Sequence, residues 1–254
     1  MAESKEGSAV VHENIQVFCR LRPPLPNDNM DDDFSVQESE VGMLTAAFVT
    51  PEVDSSRDFM GCIESYDDDG SVSYRKTPAD PLKPFKFTGF LGPDSTQSQV
   101  YSKVAAGVVN GVMKGYNGTV FAYGQTGSGK THTMRGADGD RDGGIIPRSI
   151  EQIFKSAQQR EQTVSTEVSV SYLQIYCEIL LDLLNPNNEK LLIREKKGEV
   201  FVEGAVEVPV NSVKDCLNVL RRGDENRVTA ATRLNATSSR SHAALIVNVM
   251  QRAR

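Results

Sequence analysis

The fold of this chain is decided by the stretch Gly118-Thr-Val-Phe-Ala-Tyr-Gly-Gln-Thr-Gly-Ser-Gly-Lys-Thr131. Residues 124–131 fit the phosphate-loop pattern G-x-x-x-x-G-K-[ST]. Glycines let the backbone turn tightly and bring its N–H groups against phosphate oxygens with no Cβ in the way. Lys130 offers an ammonium group to the outer phosphates, and Thr131 offers a hydroxyl to Mg²⁺. The stretch therefore predicts a site for a nucleoside triphosphate, against the alternative of a Gly-rich turn that matches by chance.

The residues around the loop predict a strand before it and a helix after it. Residues 119–123 are apolar, β-branched and aromatic, as in a buried parallel strand. From Lys130 onward we expect a helix, whose N-terminus favours anions. Upstream, an apolar stripe repeating every four residues predicts a helix that starts at Thr96, runs to about Lys114 and stops at Gly115. This alternation indicates a parallel sheet with crossover helices.

The rest of the chain follows the same alternation. Pro147 suits the first turn of a helix. Ser212-Val-Lys-Asp215 is a capping box, which predicts a helix ending near Gly223, with a second short helix over 224–232. The predicted strands are 164–176 and 242–250, and residues 191–194 and 199–202 form a small hairpin.

Composition narrows the classes of partner. The net charge of −6 argues against a nucleic-acid-binding domain, and no run is long and apolar enough to predict membrane insertion. Four scattered cysteines indicate reduced thiols in the cytosol or nucleus. We expect residues 1–13 to be a flexible leader. Residues 27–84 form an irregular acidic insertion, whose aspartate runs 31–33 and 67–69 we interpret as solvated loops, with a metal site as the alternative.

Five ordered stretches resemble the motifs of the kinesin motor domain, and the resemblance covers about residues 14–250. It implies an α/β fold of the P-loop NTPase type, with a mostly parallel central sheet and helices on both faces. The five stretches are Arg20-Leu-Arg-Pro23, the phosphate loop with its flanks (121–134), Gly144-Ile-Ile-Pro-Arg148, the strand motif 172–184 and Asn235-Ala-Thr-Ser-Ser-Arg-Ser-His242.

The resemblance also implies roles for single residues. His132 would offer a flat ring to one side of the adenine, although an ordinary helix residue is the alternative. Ser239 would approach Mg²⁺ together with Thr131, within a switch I loop that senses the γ-phosphate; a serine-rich turn without a ligand is the alternative there. The implied nucleotide contacts are Arg20, Arg22 and Pro23 at the adenine and ribose, Gly124, Gln125, Thr126, Gly127, Ser128, Gly129, Lys130 and Thr131 at the phosphates, and Asn235, Ser238, Ser239 and Arg240 in switch I.

The family's function follows as an expectation. The resemblance implies an ATPase that uses ATP and Mg²⁺ and moves on microtubules, located in the cytoplasm on the cytoskeleton. Four basic residues of the predicted hairpin could face the acidic tubulin surface, although a charge run is also typical of a solvated face. They are Lys190, Arg194, Lys196 and Lys197.

The sequence departs from the family near its C-terminal end. No switch II loop of the D-x-A-G-S-E type occurs before Arg254. We therefore expect residues 14–254 to be the N-terminal part of a motor domain, without ATP turnover of its own. The alternatives are a nucleotide-binding pseudo-motor or regulatory fragment, and an unrelated phosphate-loop enzyme such as a small-molecule kinase, which the other four motifs disfavour.

Overall fold

The structure is a computed structural model, and it describes residues 15–23, 63–67, 69–75, 80–137, 143–188, 191–196, 199–233 and 241–254. The chain divides into two compact units, one of Met1–Asp94 with Phe121–Gly124 and one of Ser95–Val120 with Gln125–Arg254. The predicted leader, the first aspartate run and most of the acidic insertion lie outside the described residues.

The described residues of the first unit form two small sheets. A parallel pair joins β1 (Phe18–Arg20) to β5 (Gly89–Leu91), and an antiparallel sheet has the order β2-β3-β4. Its apolar core consists of Cys19, Leu21, Val72 and Phe90. The remaining strands are β2 (Ile63–Tyr66), β3 (Ser71–Tyr74) and β4 (Lys83–Lys86).

Part of the second aspartate run forms a turn. The Asp69 carboxylate accepts hydrogen bonds from the Ser71 amide (2.9 Å) and from Lys86 Nζ (2.6 Å). These bonds lower the pKa of Asp69 to about 2. Across the described residues, no group of three or more His, Cys, Asp or Glu side chains could hold a metal ion. The two hydrogen bonds engage Asp69 in the turn before β3.

The second unit packs helices against an antiparallel sheet. The long strand β6 (Val164–Tyr176) lies between β10 (Val208–Val210) and β11 (Ser241–Ala253), and β7 (Ile179–Asp182) also pairs with β6. A separate hairpin joins β8 (Leu192–Lys196) to β9 (Glu199–Glu203). The helices are α1 (Gln97–Val104), α2 (Ala106–Val112), α3 (Lys130–Arg135), α4 (Ile145–Gln159) and α5 (Val213–Arg233).

One face of β6 carries the core of the second unit. Val168, Val170 and Tyr172 alternate along the strand and are all buried, because residues two apart share a face. Buried side chains from α2 and the residue after it, from α4 and from α5 pack in this core. They include Val109, Met113, Ile150, Ile153, Cys216, Val219 and Leu220. None of the helices in the described ranges has the length and apolar character needed to cross a bilayer.

The helix predicted from Thr96 is confirmed at its start and interrupted in its middle. Thr96 and Gln99 form a capping box, as the residue types suggest. Ala105 separates α1 from α2 with φ −115°, although its N–H still donates to the Tyr101 carbonyl. The Gln152 side chain of α4 donates to the Ala106 carbonyl (3.3 Å). This contact with α4 lies next to the interruption, and it could not be foreseen from the sequence of the helix itself.

The predicted helix end at Gly223 is wrong. α5 continues through Gly223 to Arg233 as one helix. A Cβ at Gly223 would lie 2.2 Å from Cδ1 of Tyr172. Glycine stands there because the helix packs tightly against a ring on β6, not because the helix ends.

Two expectations about strands are not met. Residues 119–123 have no strand pairing with any described segment. Among the described strand pairs only β1–β5 is parallel, so the expectation of mostly parallel pairing does not hold for them. An apolar run of five residues signals burial, but it does not identify a pairing partner or its direction.

The long strands and the hairpin are confirmed. β6 covers the predicted residues 164–176, and β11 extends the predicted strand 242–250 at both ends. The two strands pair along their whole length, from Ser241 opposite Tyr176 to Ala253 opposite Val164. Alternation of polar and apolar residues, as over 167–172, is a strong sequence signal for a strand, which explains why β6 could be predicted.

Candidate nucleotide site

The phosphate loop has the backbone that its glycines suggest. Gly124, Gly127 and Gly129 have φ values of 154°, 82° and 93°, which other residues rarely adopt. A Cβ at Gly127 would meet no atom within 4 Å, so conformation rather than crowding requires a glycine there. The described residues therefore leave the space next to Gly127 free.

Two polar groups of the loop are suited to phosphate oxygens. The Ser128 side chain is fully buried, and its hydroxyl has no hydrogen-bond partner among the described residues. Lys130 Nζ donates to the Gln125 carbonyl (2.7 Å), and burial lowers the pKa of this amine. A buried hydroxyl without a partner is costly, and a phosphate oxygen could accept from it. The loop residues thus fit a nucleotide phosphate chain.

The helix after the loop is fastened along its length. α3 begins at Lys130, and its residue Thr133 is buried. The Gln97 side chain of α1 donates to the His132 carbonyl (2.6 Å), and this amide is itself buried. Gln97 therefore joins the predicted helix α1 to the helix that carries Lys130 and Thr131.

A glycine pair holds the end of α3. The Gly144 amide donates to the Arg135 carbonyl (2.9 Å), and Gly136 forms an isolated bridge with Gly143. A Cβ at Gly144 would lie 2.6 Å from the Thr133 carbonyl oxygen. Close approach of two backbones requires glycine at this position. Gly144, the first residue of the Gly144–Arg148 motif, therefore acts as a clamp that holds the end of α3 through backbone contacts.

A charged cluster joins α3 to α5 and to β6. Arg135, the last residue of α3, forms an ion pair with Asp224 of α5. The Tyr172 hydroxyl donates to the other Asp224 oxygen (3.0 Å). Burial, followed by the Asp224 charge, raises the pKa of Tyr172 to about 12. Sequence reasoning missed this cluster, because its three residues stand far apart in the chain and form no motif.

The predicted site residues fall into three groups. The loop residues 125–131 and His132 lie in the second unit, and the His132 side chain is exposed. Gly124 is the last residue of the segment Phe121–Gly124, which belongs to the first unit. Arg20 is buried on β1, and Arg22 and Pro23 follow it in the first unit, so their contact with adenine stays a prediction. The switch I residues Asn235, Ser238, Ser239 and Arg240 lie outside the described residues.

The predicted basic hairpin has a more balanced charge than expected. Arg194 on β8 pairs with Glu203 on β9 (2.9 Å). The two strands also contain Lys196 and the acidic Glu195 and Glu199. Lys190 and Lys197 lie outside the described residues. A net basic surface on the hairpin therefore stays a prediction.

An acidic residue in the strand motif has a purely structural set of contacts. Asp182 at the end of β7 is buried and accepts hydrogen bonds from three backbone amides. These belong to Leu184 (2.9 Å), Asn185 (3.2 Å) and Val206 (2.8 Å). A carboxylate engaged in this way forms the turn after β7.

The comparisons with known proteins agree with one another. The kinesin motor domain model matches residues 20–254. The kinesin heavy chain of Syncephalastrum racemosum is 47% identical over 171 residues, which are 66% of this chain and 18% of that protein. The kinesin heavy chain of Caenorhabditis elegans is 43% identical over 171 residues, which are 66% of this chain and 21% of that protein. The chain thus spans about a fifth of the length of these relatives.

A solved structure extends the agreement to the fold. The structure of a fast kinesin, described with implications for its ATPase mechanism and its interactions with microtubules, superposes with a TM-score of 0.76. The match has 33% sequence identity and covers 94% of this chain and 60% of that one. The expected fold of the P-loop NTPase type is therefore confirmed. Since the family model also matches nearly the whole chain, this chain belongs to the kinesin motor domain family.

Proposed function

We propose that this chain binds ATP with Mg²⁺ at residues 124–131 and forms the ATP-binding part of a motor that hydrolyses ATP on microtubules. The observation that carries the proposal is the buried, unpartnered Ser128 hydroxyl, inside a loop whose glycines adopt positive φ and which ends in Lys130. Membership of the kinesin family supports the same assignment.

Each loop residue has a role that its chemistry suits. The amides of the glycine-rich turn and the Ser128 hydroxyl would bind phosphate oxygens. Lys130 would exchange the Gln125 carbonyl for the outer phosphates, because a phosphate dianion accepts more strongly than a carbonyl. Thr131 would hold Mg²⁺ through its hydroxyl, together with Ser239 in the predicted switch I. When bound, the ion neutralises charge between the outer phosphates.

In ATP hydrolysis the protein contributes mainly by positioning the reactants and by stabilising the charge of the transition state. Arg20, Arg22, Pro23 and His132 would orient the base and ribose. Asn235, Ser238, Ser239 and Arg240 would recognise the γ-phosphate. A segment that is ordered by this phosphate and released after hydrolysis would give the motor its switch.

The proposed partner is the microtubule, which would locate the protein to the cytoskeleton. The fast kinesin that superposes on this chain is described as interacting with microtubules. Lys196, together with Lys190 and Lys197, would face the acidic tubulin surface. Arg194 would contribute less, because Glu203 already offsets its charge.

A protein that binds ATP without turning it over is the second candidate. Two acidic side chains of the second unit that follow the loop, Asp182 and Asp224, are both occupied by structural partners. Neither carboxylate is therefore free to bind and orient the water molecule that attacks the γ-phosphate.

ATP turnover by the purified chain, measured with and without stabilised microtubules, and its co-sedimentation with them, measured with and without nucleotide, separate the two candidates. Turnover that requires Mg²⁺ and rises with microtubule concentration supports the motor and contradicts the expectation that residues 14–254 turn over no ATP on their own. Binding of ATP without turnover, but with microtubule binding that depends on the nucleotide, supports the ATP-binding part of a motor, whereas binding of ATP without turnover or microtubule binding supports the second candidate. A chain that neither binds nor hydrolyses ATP contradicts both.

A further inference from the structure

The helix after the phosphate loop depends on its neighbours. α3 has six residues, and isolated helices shorter than about 12 residues are marginal in water. Lys130 and Thr131 begin this helix, and Arg135 ends it. Whatever holds the Arg135 end therefore also sets the orientation of the Lys130 end.

Asp224 is held from two sides before it meets Arg135. Its Oδ1 accepts the Tyr172 hydroxyl at 3.0 Å, and the Tyr172 ring is 4% exposed on the central strand β6. The preceding residue, Gly223, packs directly on that ring. The Asp224 carboxylate thus has a fixed position on the sheet, from which Oδ2 forms the ion pair with Arg135.

The pair lies partly out of solvent, where ion pairs are screened less. The side chains of Arg135 and Asp224 are 35% and 22% exposed. A second cation, Arg227 of the same helix α5, lies close enough to lower the pKa of Tyr172, as Arg135 does. Arg227 also donates to the Ser241 hydroxyl at the start of β11 (3.3 Å). The cluster therefore ties α3, α5, β6 and β11 together through one carboxylate and two guanidinium groups.

We propose that Asp224 is a positioning residue of the nucleotide site, which acts through Arg135 to hold α3, and with it Lys130 and Thr131, against β6 and α5. The inference rests on the proposed nucleotide function. It adds that α5, remote in sequence from the loop, contributes to nucleotide affinity by means of a charge pair. A displacement of α5 would thus reach the phosphate loop through Arg135.

Exchange of the two charges tests the proposal. We would measure the affinity of the whole chain for a fluorescent ADP analogue with Mg²⁺, together with thermal unfolding, for Arg135→Asp, Asp224→Arg and the double variant. Each single variant places like charges together and should weaken affinity roughly threefold to thirtyfold. The double variant restores opposite charges and should return to within about threefold of wild type.

A second exchange on the same sheet provides the matched control. Arg252 and Glu167 form an ion pair at 2.9 Å on β11 and β6, with exposed side chains. Glu167→Arg, Arg252→Glu and their double variant should leave nucleotide affinity unchanged. If these control variants change nucleotide affinity as much as the Arg135 and Asp224 variants do, loss of any ion pair in this unit weakens binding, and the proposal is overturned.

The remaining outcomes separate the two proposals. If wild type binds nucleotide and the Arg135 and Asp224 single variants bind as well as it does, only the positioning role is overturned. If the double variant is weaker than both single variants, the pair does not act through its opposite charges, and the positioning role is again overturned. If a single variant fails to fold, recovery of both folding and affinity in the double variant still supports the pair. A wild-type chain that does not bind nucleotide overturns both proposals.

Discussion

Gly223 of α5 lies against the ring of Tyr172 on β6 so closely that a Cβ would stand 2.2 Å from Cδ1. The ring is buried and its hydroxyl is engaged with Asp224, so it has little freedom to move aside. This contact sets the distance between α5 and the central strand. It also explains why a glycine lies in the middle of a helix of 21 residues.

Gly223→Ala should therefore destabilise the protein, although alanine favours helices. We expect a loss of roughly 1–3 kcal/mol from overpacking, which exceeds the gain of about 1 kcal/mol in helix propensity. Urea denaturation monitored by circular dichroism measures the difference. Gly107→Ala in α2 is the control, because a Cβ there meets no atom within 4 Å, and it should leave stability equal or higher. Equal effects of the two substitutions would contradict the packing account.

Gly144→Ala should disturb the phosphate loop from a distance. A Cβ at this position would lie 2.7 Å from the Arg135 and Gly136 amide nitrogens, which are backbone atoms that cannot rotate away. We expect a loss of roughly 1–3 kcal/mol in stability and a weaker affinity for nucleotide, because the end of α3 must shift. Nucleotide titration below the melting temperature measures the second effect. Unchanged affinity in a folded variant would show that the clamp does not position α3.

The hydroxyl of Tyr172 should ionise only at unusually high pH. Burial and the Asp224 charge raise its pKa to about 12, above the value of about 10 for an unfolded chain. A raised folded pKa means that the associated stability is present in full below about pH 10 and is lost as the pH rises towards 12. Carbon-13 NMR of labelled tyrosine, with Tyr172→Phe for assignment, follows this group. Asp224→Asn should lower the pKa of Tyr172, and a raised or unchanged value would contradict the contact.

The described cysteines should differ in reactivity with iodoacetamide at pH 8. Burial raises the pKa of Cys19 to about 12, and burial with the Asp215 charge raises that of Cys216 to about 11. Cys177 is exposed at the turn after β6. Because the thiolate is the reactive form, mass spectrometry should find Cys177 alkylated well before Cys19 and Cys216. Early labelling of Cys216 in the folded chain would contradict its burial in the core of the second unit.

Sequence patterns predicted local features better than tertiary ones. The alternation over 164–176, the start of a helix at Thr96 and the glycines of the phosphate loop each depend on neighbouring residues, and the structure has all three. The predicted end of α5 was wrong because the residue that requires a glycine at position 223 is Tyr172 on β6, which is 51 positions away in the sequence. For the site, the loop could be predicted from its pattern, whereas Gln97, Asp224 and the clamp at Gly144 depend on contacts between elements.

The affinity of the chain for a fluorescent ADP analogue with Mg²⁺, compared between wild type and Lys130→Ala, tests the central claim most directly. Lys155→Ala, which removes an exposed lysine of α4, is the control for loss of one positive charge. We expect Lys130→Ala to weaken affinity roughly tenfold to a hundredfold, because a hydrogen bond to a charged group contributes about 1.5–3 kcal/mol. Lys155→Ala should bind as wild type does. If Lys130→Ala binds nucleotide as tightly as wild type, residues 124–131 are not the nucleotide site.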